Sequence, residues 1–213
     1  MHRQSGAITP KMGGALMPEI DIWLILATGC RVGETLQAAW QQIDVDAKTW
    51  NIPAGSTKNA KPHTVHLSDF ALNQLTELRE LTGATPWLFP AAFKPGEHVC
   101  LKSLTKQIKD RQLPTDAKPL KNRTVKYAQT LTLPGGAWTP HDLRRTAATI
   151  TASLGVPPHV VDKMLNHVEQ NRLVRIYQRA SYDAEQAEGW RLLGDRLSLI
   201  LNPADNVVAL RHA

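Results

Sequence analysis

The stretch Thr139-Pro140-His141-Asp142-Leu143-Arg144-Arg145-Thr146 joins the start of a helix to a dense group of charges. A threonine followed by proline is typical of a helix N-terminus, where the hydroxyl caps the first turn and proline takes the first helical position. The pattern predicts a helix that begins at Pro140 and ends at Gly155. Within that helix His141 and Arg144 are three residues apart, so they project from one face.

This face of the predicted helix has the chemistry of an anion site. His141 and Arg144 lie in the first turns, where free backbone N–H groups and the helix dipole favour negative charge. The arginine can clamp two phosphate oxygens, and the histidine can move a proton near neutral pH. The alternative interpretation is that His141 helps to cap the helix while Arg144 and Arg145 are surface charge.

The rest of the chain predicts a mostly α fold with a small antiparallel β-sheet. Apolar spacing and turn residues predict further helices over Ala15–Ala27, Arg31–Trp40, Ser68–Leu81, Leu101–Arg111, Pro157–Asn166 and Arg172–Leu201. In the third of these, Ser68 is the expected cap and Leu72, Leu75, Leu78 and Leu81 form the apolar stripe. Short strands are predicted over Ile43–Val45, Thr49–Ile52 and Thr64–Leu67, with turns at Asp46–Lys48 and Pro53–Pro62.

Length and composition exclude several classes of protein. A chain of 213 residues with 42% hydrophobic residues can build a globular core and is too apolar for a disordered chain. The longest apolar run, Ile22–Ala27, is too short to cross a bilayer, and the first residues lack the apolar run of a signal peptide. Cys30 and Cys100 have no metal-binding spacing, so we expect reduced thiols in a cytoplasmic protein.

The net charge of +6 is confined to one window. Residues 102 to 126 hold eight basic and two acidic side chains, whereas the rest of the chain holds 17 of each. Such a run suits a polyanion, because each lysine or arginine near a phosphate releases counterions. A solvated polar insertion explains the charge equally well. The basic residues are Lys102, Lys106, Lys109, Arg111, Lys118, Lys121, Arg123 and Lys126.

Four further segments carry candidate chemistry. Thr28-Gly29-Cys30-Arg31-Val32-Gly33-Glu34 places an arginine at a helix start after a glycine turn, with Glu34 one turn on to orient it. Lys58 lies in the loop between two predicted strands. His167 follows the end of a helix, and Arg175-Ile176-Tyr177-Gln178-Arg179 comes ten residues later.

Taken in order, these segments resemble the tyrosine recombinase (phage integrase) family. The resemblance extends from about Trp23 to Leu201. The family has an arginine in a TG-x-R-x-x-E segment, a β-hairpin lysine, an H-x-x-R box, a later histidine or tryptophan, and a tyrosine nucleophile. The matching residues here are Arg31, Lys58, His141 with Arg144, His167 and Tyr177.

The resemblance implies a role for each residue in a phosphodiester strand transfer. Tyr177 attacks the scissile phosphate, and Arg31 and Arg144 hold the non-bridging oxygens. Lys58 protonates the departing 5′ oxygen, and His141 helps to move the tyrosine proton. His167 donates a hydrogen bond to the phosphate. Positive side chains take the place of metal ions, so no cofactor or metal is implied.

Several assignments have alternatives. Tyr182 is a rival nucleophile, although Tyr177 directly precedes the family's Gln/Asn-Arg position. Lys61 is an alternative to Lys58. His63 and His66 have a spacing that suits a metal, but a strand residue near DNA is the favoured interpretation of each. Arg145, off the His141–Arg144 face, is assigned to a backbone contact or a structural role. Backbone binding is also expected of Lys118, Lys121, Arg123 and Lys126.

The resemblance also implies an organisation and partners. Residues 1–201 are expected to be one catalytic domain, and residues 202–213 a tail that is exchanged with a neighbour or folds back. Because Arg31 comes so early, the core-binding and arm-binding domains are expected to be absent. The implied partner is double-stranded DNA. The protein is expected to be a homotetramer on that DNA and a monomer when free. The implied location is the bacterial cytoplasm, in association with the nucleoid. The other functions considered are a non-catalytic DNA-binding remnant and a type IB topoisomerase.

Overall fold

The computed structural model describes residues 17–94, 96–114, 116–117, 128–168 and 180–203. The described chain is largely helical with one three-stranded antiparallel sheet, which confirms the predicted fold class. The helices are α1 (Met17–Thr28), α2 (Val32–Leu36), α3 (Asp69–Thr82), α4 (Ser103–Arg111), α5 (Pro140–Ser153), α6 (Pro158–Met164) and α7 (Asp183–Leu201). The strands are β1 (Ile43–Asp44), β2 (Thr49–Ile52) and β3 (His63–His66), and short 3-10 turns cover Trp40–Gln42 and Ala54–Ser56.

The sheet has the order β1-β2-β3 and places one apolar face on the core. Trp50 pairs with Val65 across β2 and β3, and both side chains are buried, as is Ile52. Alternate residues point to opposite faces of a strand, so Asn51 and Thr64 lie on the exposed face. The third strand begins one residue earlier than predicted, because His63 pairs with Ile52.

Helix α3 shows how the predicted stripe meets the core. Ser68 is the N-cap, and its hydroxyl oxygen accepts from the Ala71 N–H at 3.4 Å, as predicted. Leu75 and Leu78 are buried, whereas Leu72 and Leu81 are partly exposed. A spacing of three residues drifts around a helix of 3.6 residues per turn, so the ends of the stripe leave the buried face.

The predicted helix Arg31–Trp40 is too long. Helix α2 ends at Leu36, and the next residues pair with the segment after α3 instead. The Leu88 N–H donates to the Ala38 carbonyl at 2.9 Å, and the Trp40 N–H donates to the Pro86 carbonyl at 2.9 Å. These bonds satisfy backbone groups that a longer helix would have used.

Two further predictions about helix starts need correction. The predicted helical region Arg172–Leu201 is interrupted, because residues 180–182 are not helical and Tyr182 has a left-handed φ of 57°. Thr139 is the N-cap of α5, but its hydroxyl does not cap the helix. It donates to the Asp142 carboxylate at 2.8 Å, and that carboxylate accepts from the Thr139 N–H at 2.9 Å.

The core lies where α1 and α7 cross α3, α5 and α6. Trp190 of α7 is fully buried at its centre, and its Nε1–H donates to the Thr28 carbonyl at 2.9 Å. The last turn of α1, the start of α5 and the end of α6 converge on one region of this core.

Among the described helices, none is both long and apolar enough to span a membrane.

Candidate active site

The turn between α1 and α2 presents Arg31. Gly29 has a φ of +68°, and a Cβ there would lie 2.8 Å from Leu165 Cδ2, so glycine suits the turn in both conformation and space. The Glu34 carboxylate accepts from the Arg31 backbone N–H at 2.7 Å and from Arg31 Nη1 at 2.9 Å. The predicted orientation of Arg31 by Glu34 is therefore seen in the structure.

Arg144 is buried, with 5% of its surface exposed. Its Nη1 donates to the Gly29 carbonyl, and its Nη2 donates to the Leu165 carbonyl. The side chain thereby joins the turn before Arg31 to the turn after α6. Burial lowers the pKa of Arg144, and the neighbouring positive charge of Arg31 lowers it further. A guanidinium keeps its charge even so.

The two arginines form a positively charged centre with a buried thiol beside it. Burial raises the pKa of Cys30 to about 12, and the Glu34 carboxylate acts in the same direction. The thiol is therefore neutral, and the Glu34 carboxylate offsets one of the two guanidinium charges, so the centre keeps a net positive charge. Like charges held together in a partly buried site favour an anionic ligand. A phosphate with two non-bridging oxygens fits that requirement.

Lys58 lies at the tip of the loop between β2 and β3. Its side chain is exposed, and it makes no hydrogen bond or ion pair with the described residues. The next residue, Asn59, contacts Asn166 at the end of α6, with Nδ2 donating to Asn166 Oδ1 at 2.7 Å. Lys61, the alternative to Lys58, is also exposed in this loop. The loop with this exposed ammonium group is therefore joined, through Asn59, to the turn that Arg144 contacts.

His167 lies on that same turn after α6. Its Nδ1 lies 2.9 Å from the Asp162 carboxylate, which fixes the ring and assigns the proton to Nδ1. Nε2 is then the ring atom that faces away from Asp162 and is open to a ligand. The side chain is 45% exposed, so a ligand can reach it.

His141 and Arg145 are exposed at the start of α5. The Thr139 N–H and hydroxyl donate to Asp142, and these bonds lower the pKa of its carboxyl group. Arg145 Nη1 lies 3.5 Å from the same carboxylate on the helix surface. Arg144 is thus buried in the fold, whereas both His141 and Arg145 are exposed.

His63 is a residue whose contacts the sequence did not reveal. Its Nε2–H donates to the Met164 carbonyl at 3.1 Å, and its ring lies 6.1 Å from that of Trp190. Burial lowers the pKa of His63. His66 also lies against Trp190, with a centroid separation of 5.7 Å. No cluster of three metal-binding side chains occurs among the described residues, and His63 acts as a link between β3 and α6.

Some predicted site residues lie outside the described residues. They are Tyr177 and the four cations Lys118, Lys121, Arg123 and Lys126. In the described part of the basic window, Lys102, Lys106 and Lys109 are exposed on or beside α4. Arg111 is 6% exposed and its Nη1 lies 3.7 Å from Glu19. The window is thus not uniformly solvated, because Arg111 packs into the fold.

Comparisons with known proteins identify the family to which the chain is similar. The model of the phage integrase family matches residues 13–184. Prophage integrase IntA of Escherichia coli K12 is 33% identical over 161 residues, which cover 76% of this chain and 34% of that protein. The chain therefore spans about a third of that relative's length.

Solved structures show the same fold. The integrase from mycobacterium phage Brujita matches with a TM-score of 0.57 at 18% identity, over 90% of this chain and 60% of that one. The lambda integrase catalytic core matches with a TM-score of 0.52 at 16% identity, over 74% of this chain and 83% of that one. At these identities the likeness concerns the arrangement of helices and sheet.

Proposed function

Because this chain belongs to the phage integrase family, we propose that it is the catalytic domain of a site-specific tyrosine recombinase. It cleaves and rejoins DNA through a 3′-phosphotyrosine intermediate during integration or excision of a mobile element such as a prophage.

The observation that carries this proposal is the pairing of Arg31 with Arg144. Arg144 bonds the carbonyl of Gly29, two residues before Arg31, so both guanidinium groups serve one centre. Glu34 compensates Arg31 and is itself 3% exposed. A phosphodiester acquires further negative charge as a fifth oxygen bonds to phosphorus. Preorganised cations stabilise that charge without reorganising during the reaction.

The remaining residues complete the chemistry. The Tyr177 oxygen attacks phosphorus, and the phenol proton passes toward His141. The bond from phosphorus to the 5′ oxygen breaks as Lys58 supplies a proton to that oxygen. His167, oriented by Asp162, donates to a non-bridging oxygen. The phosphotyrosine bond conserves the energy of the broken bond, so the reverse attack by a 5′ hydroxyl rejoins the strand.

The binding partners follow from the chemistry. Double-stranded DNA is the substrate, with Arg145 and the segment bearing Lys118, Lys121, Arg123 and Lys126 on its phosphates. Exchange of four strands requires four protomers, so we propose a homotetramer on DNA and a monomer in its absence. Residues 1–201 act as the catalytic domain, and residues 202–213 contact a neighbouring protomer. The setting is the bacterial cytoplasm, at the nucleoid.

The test is covalent capture of DNA. A nicked duplex loses a short strand on cleavage, which prevents rejoining and traps the adduct. Because the target is not defined, the probe is a library of nicked duplexes with a randomised core. The parent chain is expected to form an adduct that resists denaturation, and Tyr177→Phe is expected to form none while it still binds the selected duplexes. Tyr182→Phe is the matched control and retains the adduct.

An adduct that persists in Tyr177→Phe and disappears in Tyr182→Phe reverses the assignment of the nucleophile. Salt-dependent binding without any adduct from the parent chain identifies a non-catalytic DNA-binding protein instead. Efficient relaxation of supercoiled DNA, with no exchange between duplexes, favours the topoisomerase alternative.

A further inference from the structure

The loop that carries Lys58 is closed on itself by Thr57. The Thr57 hydroxyl lies 2.7 Å from the Lys61 carbonyl, and its oxygen accepts from the Lys61 N–H at 3.1 Å. Ala60 has a left-handed φ of 53° within this turn. These contacts define the shape of the loop. They do not fix where the loop lies relative to the arginines, because all of them are internal to it.

Asn59 supplies the external contact. Its Nδ2 donates to Asn166 Oδ1 at 2.7 Å and lies 3.2 Å from the Asn166 carbonyl. Its Oδ1 accepts from the Lys61 N–H at 3.2 Å and from Asn166 Nδ2 at 3.4 Å. Both ends of the carboxamide therefore contact Asn166 in the turn after α6, and the oxygen also accepts from Lys61 within the loop. A side chain with a donor and an acceptor is needed at this position.

The turn that Asn59 reaches also serves two predicted phosphate ligands. Leu165, just before Asn166, gives its carbonyl to Arg144, and His167 comes just after it. Asn166 itself has a left-handed φ of 50°, a conformation that asparagine tolerates better than most residues. The Asn59–Asn166 contact thus ties the Lys58 loop to the backbone that carries the phosphate site.

We propose that Asn59 is a positioning residue that holds Lys58 in place to protonate the leaving 5′ oxygen. The inference rests on the proposed function, in which Lys58 is the proton donor. Lysine has a long flexible side chain, and proton transfer requires it to lie within hydrogen-bond reach of the oxygen. With the loop released from Asn166, the ammonium group spends less time at that distance.

The test compares two leaving groups. In the normal duplex the phosphorus–oxygen bond breaks and the 5′ oxygen takes a proton from Lys58. In a duplex with sulfur at the bridging 5′ position, the phosphorus–sulfur bond breaks and the sulfur keeps the electron pair as a thiolate. A thiol has a pKa of about 8.5, far below that of an alcohol, so this leaving group needs no proton donor. A defect in proton donation therefore disappears on the sulfur duplex.

The variants are chosen to separate the hydrogen bond from the charge. Asn59→Asp places an acceptor against Asn166 Oδ1 and loses the 2.7 Å bond. Asn166→Asp adds the same charge at nearly the same place but keeps an acceptor for Asn59 Nδ2, so it loses just the 3.4 Å bond. Asn51→Asp on the exposed face of the sheet is the control, because Asn51 Oδ1 accepts from the Thr64 hydroxyl at 3.0 Å and still can.

The expected readout is the ratio of single-turnover cleavage rates on the two duplexes. Asn59→Asp slows cleavage of the normal duplex by about 10-fold or more relative to Asn166→Asp, and the sulfur duplex removes this difference. Lys58→Ala slows cleavage of the normal duplex by about 100-fold, and the sulfur duplex restores its rate in the same way. The ratio for Asn166→Asp and Asn51→Asp stays at the parent value. Thermal unfolding of each variant is followed in parallel.

Two results overturn the inference while the proposed function stands. One is a ratio of cleavage rates on the two duplexes that is the same in Asn59→Asp as in the parent, while Lys58→Ala recovers its cleavage rate on the sulfur duplex. The other is an equal loss on both duplexes, with a lowered melting temperature, which shows that Asn59 supports folding alone. Absence of any adduct from the parent chain on either duplex refutes the proposed function, and the inference with it.

Discussion

Replacing Gly29 by alanine tests how tightly the arginine centre is built. Gly29 has a φ of +68°, and an added Cβ would lie 2.8 Å from Leu165 Cδ2. Gly155 provides the matched control, because its φ is +89° and an added Cβ would meet nothing within 4 Å. Both substitutions introduce the strain of a left-handed alanine, and Gly29→Ala alone introduces a steric clash.

The magnitudes follow from these two terms. A non-glycine residue in a left-handed conformation costs about 1–2 kcal/mol, which we expect for Gly155→Ala. Overpacking a buried site adds about 1–3 kcal/mol, less where the buried Leu165 side chain turns into the small cavity that it lines with Gly29. The expected loss for Gly29→Ala is therefore about 2–5 kcal/mol. The carbonyls of Gly29 and Leu165 both bind Arg144, so DNA cleavage falls as well.

The assay is urea unfolding combined with adduct formation, carried out as a double-mutant cycle with Leu165→Ala. Removing Cδ2 eliminates the clash, so Gly29→Ala costs no more in the Leu165→Ala background than Gly155→Ala costs in the parent. Equal costs for Gly29→Ala in the two backgrounds would show that the added methyl group does not clash with Leu165. Full cleavage activity in a stably folded Gly29→Ala protein would refute the link to Arg144.

Three further predictions concern other parts of the fold. Burial raises the pKa of Asp21 well above its ordinary value, so the folded state binds a proton that the unfolded state releases, and stability falls as the pH rises toward that raised pKa. The urea midpoint of Asp21→Asn, measured between pH 5 and 8, should lack this fall. Parallel plots of midpoint against pH for the parent and Asp21→Asn would contradict the prediction. Trp190→Phe loses the hydrogen bond to the buried Thr28 carbonyl, and its free energy of unfolding in urea should fall by about 1–3 kcal/mol. Trp87→Phe loses an exposed bond to the Gly96 carbonyl, and its free energy of unfolding should fall by less than about 1 kcal/mol. The last prediction concerns the four cations of the basic segment, Lys118, Lys121, Arg123 and Lys126. Neutralising them together should weaken DNA binding and reduce the slope of log affinity against log salt by about 0.9 for each phosphate that the protein no longer neutralises. An unchanged slope identifies a solvated insertion.

Local chemistry in the sequence was sufficient for much of the fold. Ser68 caps α3 and Pro140 begins α5, because capping and proline geometry act within a few residues. The alternation of Trp50, Asn51 and Ile52 likewise set the faces of the sheet. Local rules failed at Ala38, where pairing with Leu88 ends the helix, and at Tyr182, where the chain adopts a left-handed turn.

The candidate site shows the same division. An arginine after a glycine turn, with a glutamate three residues later, predicted the contact between Arg31 and Glu34, because Arg31 is the N-cap of α2 and Glu34 lies in the first turn of that helix. The contact of Asn59 with the turn after α6 and the contact of His63 with the last residue of α6 had no signal in the sequence. They depend on how β3 and α6 pack, and an isolated asparagine or histidine suits many environments. The role of Tyr177 remains a prediction from the family resemblance.

The bonds that frame the site join distant parts of the chain. Gly29 and Arg144 are 115 residues apart, Asn59 and Asn166 are 107 apart, and Thr28 and Trp190 are 162 apart. Closing such long loops costs chain entropy before the contacts repay it, which slows assembly of the centre. During synthesis from the N-terminus, Arg31 and Glu34 leave the ribosome long before Arg144. The arginine centre of a nascent chain is therefore assembled only after α5 and the turn after α6 have emerged and packed against the end of α1.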